Sequence, residues 1–218
     1  MKKKQVLYIV LAIAVLVGLG GGFSFWYQQH YFIKTEDARV AGDIYRVMPR
    51  ISGKLISLQV SEGDRVLADQ IVGQQDSTNL TTSVLDQASL RSPIEGTVLK
   101  TMARTGEVVS PGQTIALVVN KKDLYISANI EEGDIHRVQV GQTVEFTADM
   151  LPGVTLYGKV EEIGQATAST FSLLPATNTS GNFTKITQRI PIKISIDDQQ
   201  GLDLSPGMST VVKIHMKG

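Results

Sequence analysis

From Val6 to Tyr27 the chain is an almost unbroken apolar run of 22 residues, and the next acid is Glu36. At about 1.5 Å rise per residue such a helix spans roughly 33 Å, enough for a hydrocarbon core of ~30 Å. The pattern predicts a transmembrane helix over 5–27. From Thr35 onward the period changes. Apolar and polar residues alternate in short runs broken by glycine turns, as in Gly53-Lys-Leu-Ile-Ser-Leu-Gln-Val60 and Gln142-Thr-Val-Glu-Phe-Thr147. That alternation predicts short β-strands, and helical periodicity is nearly absent after the apolar run.

The flanks of the apolar run set its direction. Lys2, Lys3 and Lys4 precede it, which holds that end in the cytoplasm. Phe23, Phe25, Trp26, Tyr27, Tyr31 and Phe32 stand where the outer membrane–water boundary falls, as an aromatic belt. A cleaved signal peptide would need a shorter apolar region and a small-x-small site. After Gly22 the chain gives Phe-Ser-Phe-Trp-Tyr instead, so the segment reads as a retained anchor.

The strand-rich part carries an internal repeat at an offset of 43 residues. Gly53 matches Gly96, Leu55 Val98, Gly63 Gly106, Asp64 Glu107, Val66 Val109, Gln70 Gln113 and Val72 Ile115. Each half reads strand, Gly-acid turn, short strand, strand. The turn glycines permit positive φ, which β-branched residues avoid. Two such halves predict a flattened β-sandwich with pseudo-twofold symmetry.

Composition narrows the chemistry. With 21 basic and 21 acidic residues the net charge is zero, which argues against nucleic-acid binding. There is no cysteine, so disulfides, thiol catalysis, thiolate metal sites and cysteine lipidation are excluded. His30, His136 and His215 are far apart and have no ligand-spaced neighbours. The acidic runs Glu131-Glu132-Gly-Asp134 and Asp197-Asp198 are too short for a calcium loop and read as solvated turns. Ser92, Ser110 and Ser205 precede prolines, with no Gly-x-Ser-x-Gly elbow, P-loop or dinucleotide fingerprint. Asn79, Asn178 and Asn182 stand in Asn-x-Ser/Thr triplets, which arise often by chance. No catalytic, cofactor or metal residue is assigned. The segment 166–185, rich in Ser, Thr, Asn and Ala, reads as a long loop.

The half-motifs PRISGKLISLQVSEGDRVLADQIVGQQD (49–76) and SPIEGTVLKTMARTGEVVSPGQTIALVVN (92–120) resemble the two halves of a biotinyl/lipoyl domain. In that domain a carrier lysine sits on the hairpin joining the halves. The joining segment here, Asp76–Ser89, holds no lysine, so the carrier chemistry is unsupported. TEDARVAGD (35–43), IEEGDIHRVQVGQTVEF (130–146), LLPATNTSGNFTKITQRIPI (173–192) and LSPGMSTVVKI (204–214) extend the resemblance along the chain. Together they are similar to the haemolysin-D-like membrane fusion proteins, or periplasmic adaptors, of the EmrA multidrug efflux type. Such adaptors usually carry a long α-helical hairpin between the lipoyl halves. Here 14 residues remain, room for one short helix capped by Asp76, Ser77 or Thr78 and carrying Leu80, Val84, Leu85 and Ala88.

These readings set the expectations. The fold is mainly β, with an N-terminal transmembrane helix, a split lipoyl-like sandwich and a β-barrel. The domains are a cytoplasmic tail (1–4), the membrane helix (5–27), a linker with the first barrel strand (28–46), the lipoyl-like domain (47–120, connection 76–89) and the barrel (121–218). The resemblance implies a non-enzymatic, cofactor-free, membrane-anchored adaptor that exports drugs or other small hydrophobic compounds. It implies a homo-oligomer beside an inner-membrane transporter of major facilitator rather than ABC type, with the domains outside the cytoplasm. The short connection implies no direct contact with an outer-membrane duct. The rival classes are a biotin or lipoyl carrier subunit and a membrane-tethered β domain with no transporter.

Overall fold

A computed structural model describes residues 31–78, 85–167 and 187–216, with isolated positions 11, 13, 15, 16, 18 and 19. Those isolated positions are helical, and Leu11, Ile13, Val15, Leu16 and Leu19 are exposed. The rest of the expected membrane segment 5–27 lies outside the described residues. Among the described residues no helix is long and apolar enough to cross a membrane. The mainly β expectation is borne out, and the chain divides into two compact units.

One unit, Val40–Tyr125 with Leu202–Gly207, is the sandwich. Its strands are β2 (Ile44–Val47), β3 (Gly53–Leu58), β4 (Arg65–Val66), β5 (Ile71–Gln75), β6 (Ser89–Arg91), β7 (Gly96–Thr101), β8 (Val108–Val109) and β9 (Ala116–Val119). They form two four-stranded sheets, ordered β2-β9-β7-β4 and β6-β5-β3-β8. The 43-residue offset turns one order into the other, strand for strand. The repeat-mates Leu55 and Val98, Val66 and Val109, and Val72 and Ile115 all meet in one buried cluster. Burying six such side chains contributes about 1.5–3 kcal/mol each as an upper estimate, before conformational entropy is subtracted.

Gly63 and Gly106 hold φ +93° and +97°. That left-handed conformation strains any side chain with a Cβ, so the two Gly-acid turns require glycine.

The second unit, comprising residues up to Arg39, Ile126–Gly201 and Met208–Gly218, is a barrel. Its strands are β1 (Phe32–Ala41), β10 (Tyr125–Glu131), β11 (Thr143–Ala148), β12 (Leu156–Ile163), β13 (Arg189–Ile196) and β14 (Ser209–His215). They close in the order β1-β10-β13-β12-β11-β14, which leaves no open sheet edge. Alternate residues point inward, so Ile126, Ala128 and Ile130 from β10 and Thr210, Val212 and Ile214 from β14 are buried. With Phe146, Leu156 and Ile194 they pack the interior. A six-stranded barrel is too narrow to hold a channel once such side chains fill it.

The compact units and the expected domains place some residues differently. Residues 44–46, read with the linker and first barrel strand, form β2 with Val47 and pair antiparallel with β9 in the sandwich. Leu202–Gly207, read within the barrel, packs with the sandwich unit, where Gly207 N–H donates to the Val40 carbonyl at 2.9 Å. Both are long-range pairings that local alternation does not encode.

Candidate functional site

Among the described residues no reacting constellation is present, and the candidate sites are surfaces. One is an end of the barrel. Registers place Phe32 opposite His215, Val144 opposite Ile214, and Ile163 opposite Ile192. Glu132 N–H donates to the Gln188 carbonyl at 2.9 Å. The start of β1, the short helix α1 (Glu132–Ile135), the end of β14 and both ends of the 164–188 connection therefore share one end of the barrel. The loop expected over 166–185 lies outside the described residues from 168 onward. Val140, in the turn that follows α1, is 65% exposed.

Beside that end, side chains from three strands interlock. The Phe32 ring meets His215 edge-on at 4.9 Å, and Lys213 Nζ stands 3.9 Å above the Phe32 ring. Glu145 lies 2.8 Å from His215 Nε2 and 3.8 Å from Lys213 Nζ. Arg189 of β13 pairs with Asp37 of β1. These half-exposed pairs each contribute at most about 1 kcal/mol, and they set strand register more than stability.

The second surface is the root of the connection between the sandwich halves. Asp76 N–H donates to the Lys54 carbonyl at 2.8 Å. The Asp76 carboxylate accepts from the Thr78 hydroxyl and amide, and these bonds hold its pKa below the ordinary carboxylate range. The expected helical stripe is corrected here. Leu85–Ala88 is a 3-10 turn and not part of an α-helix, with Ala88 buried and Leu85 42% exposed. Leu80, Val84 and Asn79 lie outside the described residues. Arg91 clamps the turn, donating to Asp86 and to the Asp69 carbonyl at 3.0 Å each.

A cleft of about 480 Å³ beside the edge strand β4 is lined by Arg65, Leu67, Glu95, Lys121 and Lys122 among others. Its charges are largely compensated. Lys121 donates to Asp203 at 2.6 Å, and Lys122 lies 3.8 Å from Glu95. The Lys121 hydrogen bond, then its charge and that of Arg65, hold the Asp203 carboxyl below its ordinary range.

The residues singled out in the sequence do not converge. His136 caps α1 at an exposed position, His215 sits in the β14 cluster, and His30 lies outside the described residues. The first acidic run, expected as a turn, instead ends β10 and opens α1, where Asp134 pairs with Arg137 at 3.4 Å. Asp198 sits in a turn and accepts from the Gln200 amide at 2.8 Å. Among the described residues no three His, Asp or Glu side chains gather as a metal would need. Asn178 and Asn182 lie outside the described residues. Sequence reasoning passed over Gln75, which is fully buried in the sandwich. The signal was available, since the 43-residue offset sets Gln75 opposite Val118.

The geometry is matched by known domains. Residues 43–121 match the RND membrane fusion protein barrel-sandwich hybrid domain, and residues 123–215 match the AAEA-like β-barrel domain. The chain is 39% identical over 187 residues to YhbJ of Bacillus subtilis (strain 168), named as an efflux system component, covering 86% of this chain and 81% of YhbJ. It is 34% identical over 155 residues to the multidrug export protein EmrA of Escherichia coli (strain K12), covering 68% of this chain and 40% of EmrA. The chain thus spans most of YhbJ but about two-fifths of EmrA. The solved periplasmic adaptor EmrA shares the fold at TM-score 0.59 and 15% identity, over 86% of this chain and 99% of that one. Spr0693 from Streptococcus pneumoniae R6, a membrane fusion protein, does so at 0.62 and 17%, with the same coverage. Sandwich and barrel together define a membrane fusion adaptor. The chain belongs to the haemolysin-D-like membrane fusion protein family, in its EmrA-type branch.

Proposed function

We propose that this protein is the membrane-anchored adaptor of an efflux transporter that exports drugs or other small hydrophobic compounds. The N-terminal helix anchors it with Lys2–Lys4 in the cytoplasm, and both β units stand on the other side. The partner is a transporter of the major facilitator type, and the adaptor acts as a homo-oligomer without bond-making chemistry. The observation that carries this reading is the barrel-sandwich hybrid with a lysine-free connection, in a chain 39% identical to an efflux system component over most of its length. The packed barrel interior supports a role in assembly, because it offers no path for a substrate.

The connection bears on reach. Fully helical, its 14 residues extend only about 21 Å, and roughly half that as a hairpin. The protein therefore works beside its transporter, in a single-membrane cell or with a separate spacer protein. Mild cross-linking in native membranes should capture a transporter and no outer-membrane channel. Cross-links from residues 80–88 to an outer-membrane duct would overturn the reach argument. Capture of no transporter would favour a tethered β domain acting alone.

A further inference from the structure

We infer that Gln75 is a positioning residue, whose buried amide ties the root of the 76–89 connection to the Ile51 carbonyl and fixes how the connection leaves the sandwich.

The two halves of the sandwich act as controls for one another. Gln75 and Val118 are repeat-mates, and both are 0% exposed. Each faces the glycine that opens the leading strand of its own half. A Cβ added at Gly53 would touch Gln75 and Asp76, while one at Gly96 would collide with Val118 and Val119. The equivalent position beside a strand glycine thus holds valine in one half, where the approach is tighter, and glutamine in the other. Packing alone does not call for an amide at this position.

The amide is only half satisfied. Gln75 Nε2 donates to the Ile51 carbonyl at 3.0 Å, whereas Oε1 is buried and has no donor among the described residues. The amide cannot turn over, because Oε1 would then face the Ile51 oxygen. A buried acceptor without a partner opposes folding, so this side chain lowers stability where its mate does not.

What the amide secures is local. The Ile51 carbonyl lies just before β3, and Gln75 is the last residue of β5 before the connection begins. The next residue, Asp76, donates to Lys54 at 2.8 Å. Two hydrogen bonds from consecutive residues therefore clamp the departing chain to 51–54. In the other half the chain after Val119 runs on into the Lys121–Asp123 turn, and Val118 supplies no such tie. A polar link inside an apolar core chiefly specifies one geometry among several.

The test uses the full-length protein with Gln75→Met, which keeps volume and removes both polar atoms, and Gln75→Leu as a second variant. Hydrogen exchange should accelerate at least tenfold at the Asp76 and Thr78 amides, leave the β7 amides unchanged, and accompany an unchanged or raised Tm. Unchanged exchange at Asp76 and Thr78 would overturn the inference. So would a lowered Tm with faster exchange throughout the sandwich, which would make Gln75 ordinary core. A second arm rests on the adaptor reading: drug export should fall several-fold in Gln75→Met at equal membrane abundance. Export unchanged beside a loosened root would overturn the positioning role. A wild-type chain that supports no export would defeat the adaptor reading instead, and the exchange result would still decide the role of Gln75.

Discussion

Gly63 N–H donates to the Val98 carbonyl at 2.8 Å, and the repeat-mate of that bond runs from Gly106 N–H to the Leu55 carbonyl at 2.7 Å. Return bonds complete the exchange. Val98 N–H donates to the Asp64 carbonyl at 2.9 Å and Leu55 N–H to the Glu107 carbonyl at 2.8 Å. Each Gly-acid turn is thus stitched to the leading strand of the opposite half. The interlock explains why neither half stands as a separate sheet, and why the turns need glycine at a conformation other residues avoid.

Substituting either glycine by valine is expected to destabilise the sandwich by about 1–3 kcal/mol through backbone strain. Open space surrounds both positions, so strain is the cause and a steric clash is not. Denaturant unfolding of Gly63→Val and Gly106→Val should show similar losses. An unchanged midpoint for both would mean the turns are not equivalent as argued.

The Lys121–Asp203 pair predicts a pH effect confined to the acid limb. Because the folded Asp203 pKa is lowered, the pair stabilises above the unfolded carboxylate value of about 3.9 and ceases to do so as pH falls through the folded value. Lys121→Met should move the Asp203 titration upward, as read by carboxyl NMR. It should leave stability near neutral pH little changed, since Asp203 is largely exposed. A titration that stays where it is would show that Lys121 does not set it.

No lysine occupies 76–89, and the two lysines nearest in the sandwich, Lys54 and Lys100, lie within β3 and β7. Intact-mass measurement of the purified protein should therefore show no biotin or lipoate adduct. An adduct on either lysine would restore the carrier reading.

The absence of cysteine makes topology directly testable. A Thr177→Cys variant should react with an impermeant maleimide on intact spheroplasts, and a Gln5→Cys variant should stay unlabelled. The reverse pattern would invert the proposed orientation.

Much of this protein is legible in its sequence because its signals are local or repeated. Alternation in 142–147 marks β11, and the Gly-acid pairs mark both turns. The 43-residue offset predicts the twofold sandwich before any pairing is known. The lysine-free connection is equally a matter of reading residues in order.

Other features depend on contacts between distant residues. Arg189 meets Asp37 across 152 positions and Lys121 meets Asp203 across 82, and nothing in either segment names its partner. Ile44–Val47 joins the sandwich because β9 offers it an edge, and alternation alone is equally consistent with a barrel strand. Where the connection was expected to hold an α-helix, Leu85–Ala88 is a 3-10 turn that leaves Leu85 exposed. Gln75 shows the division at one residue. The sequence alone determined that it stands opposite a valine in the repeat. Only the tertiary structure decided that it is buried with one acceptor unmet among the described residues, because burial and hydrogen-bond satisfaction are properties of the packed neighbours and not of the residue itself.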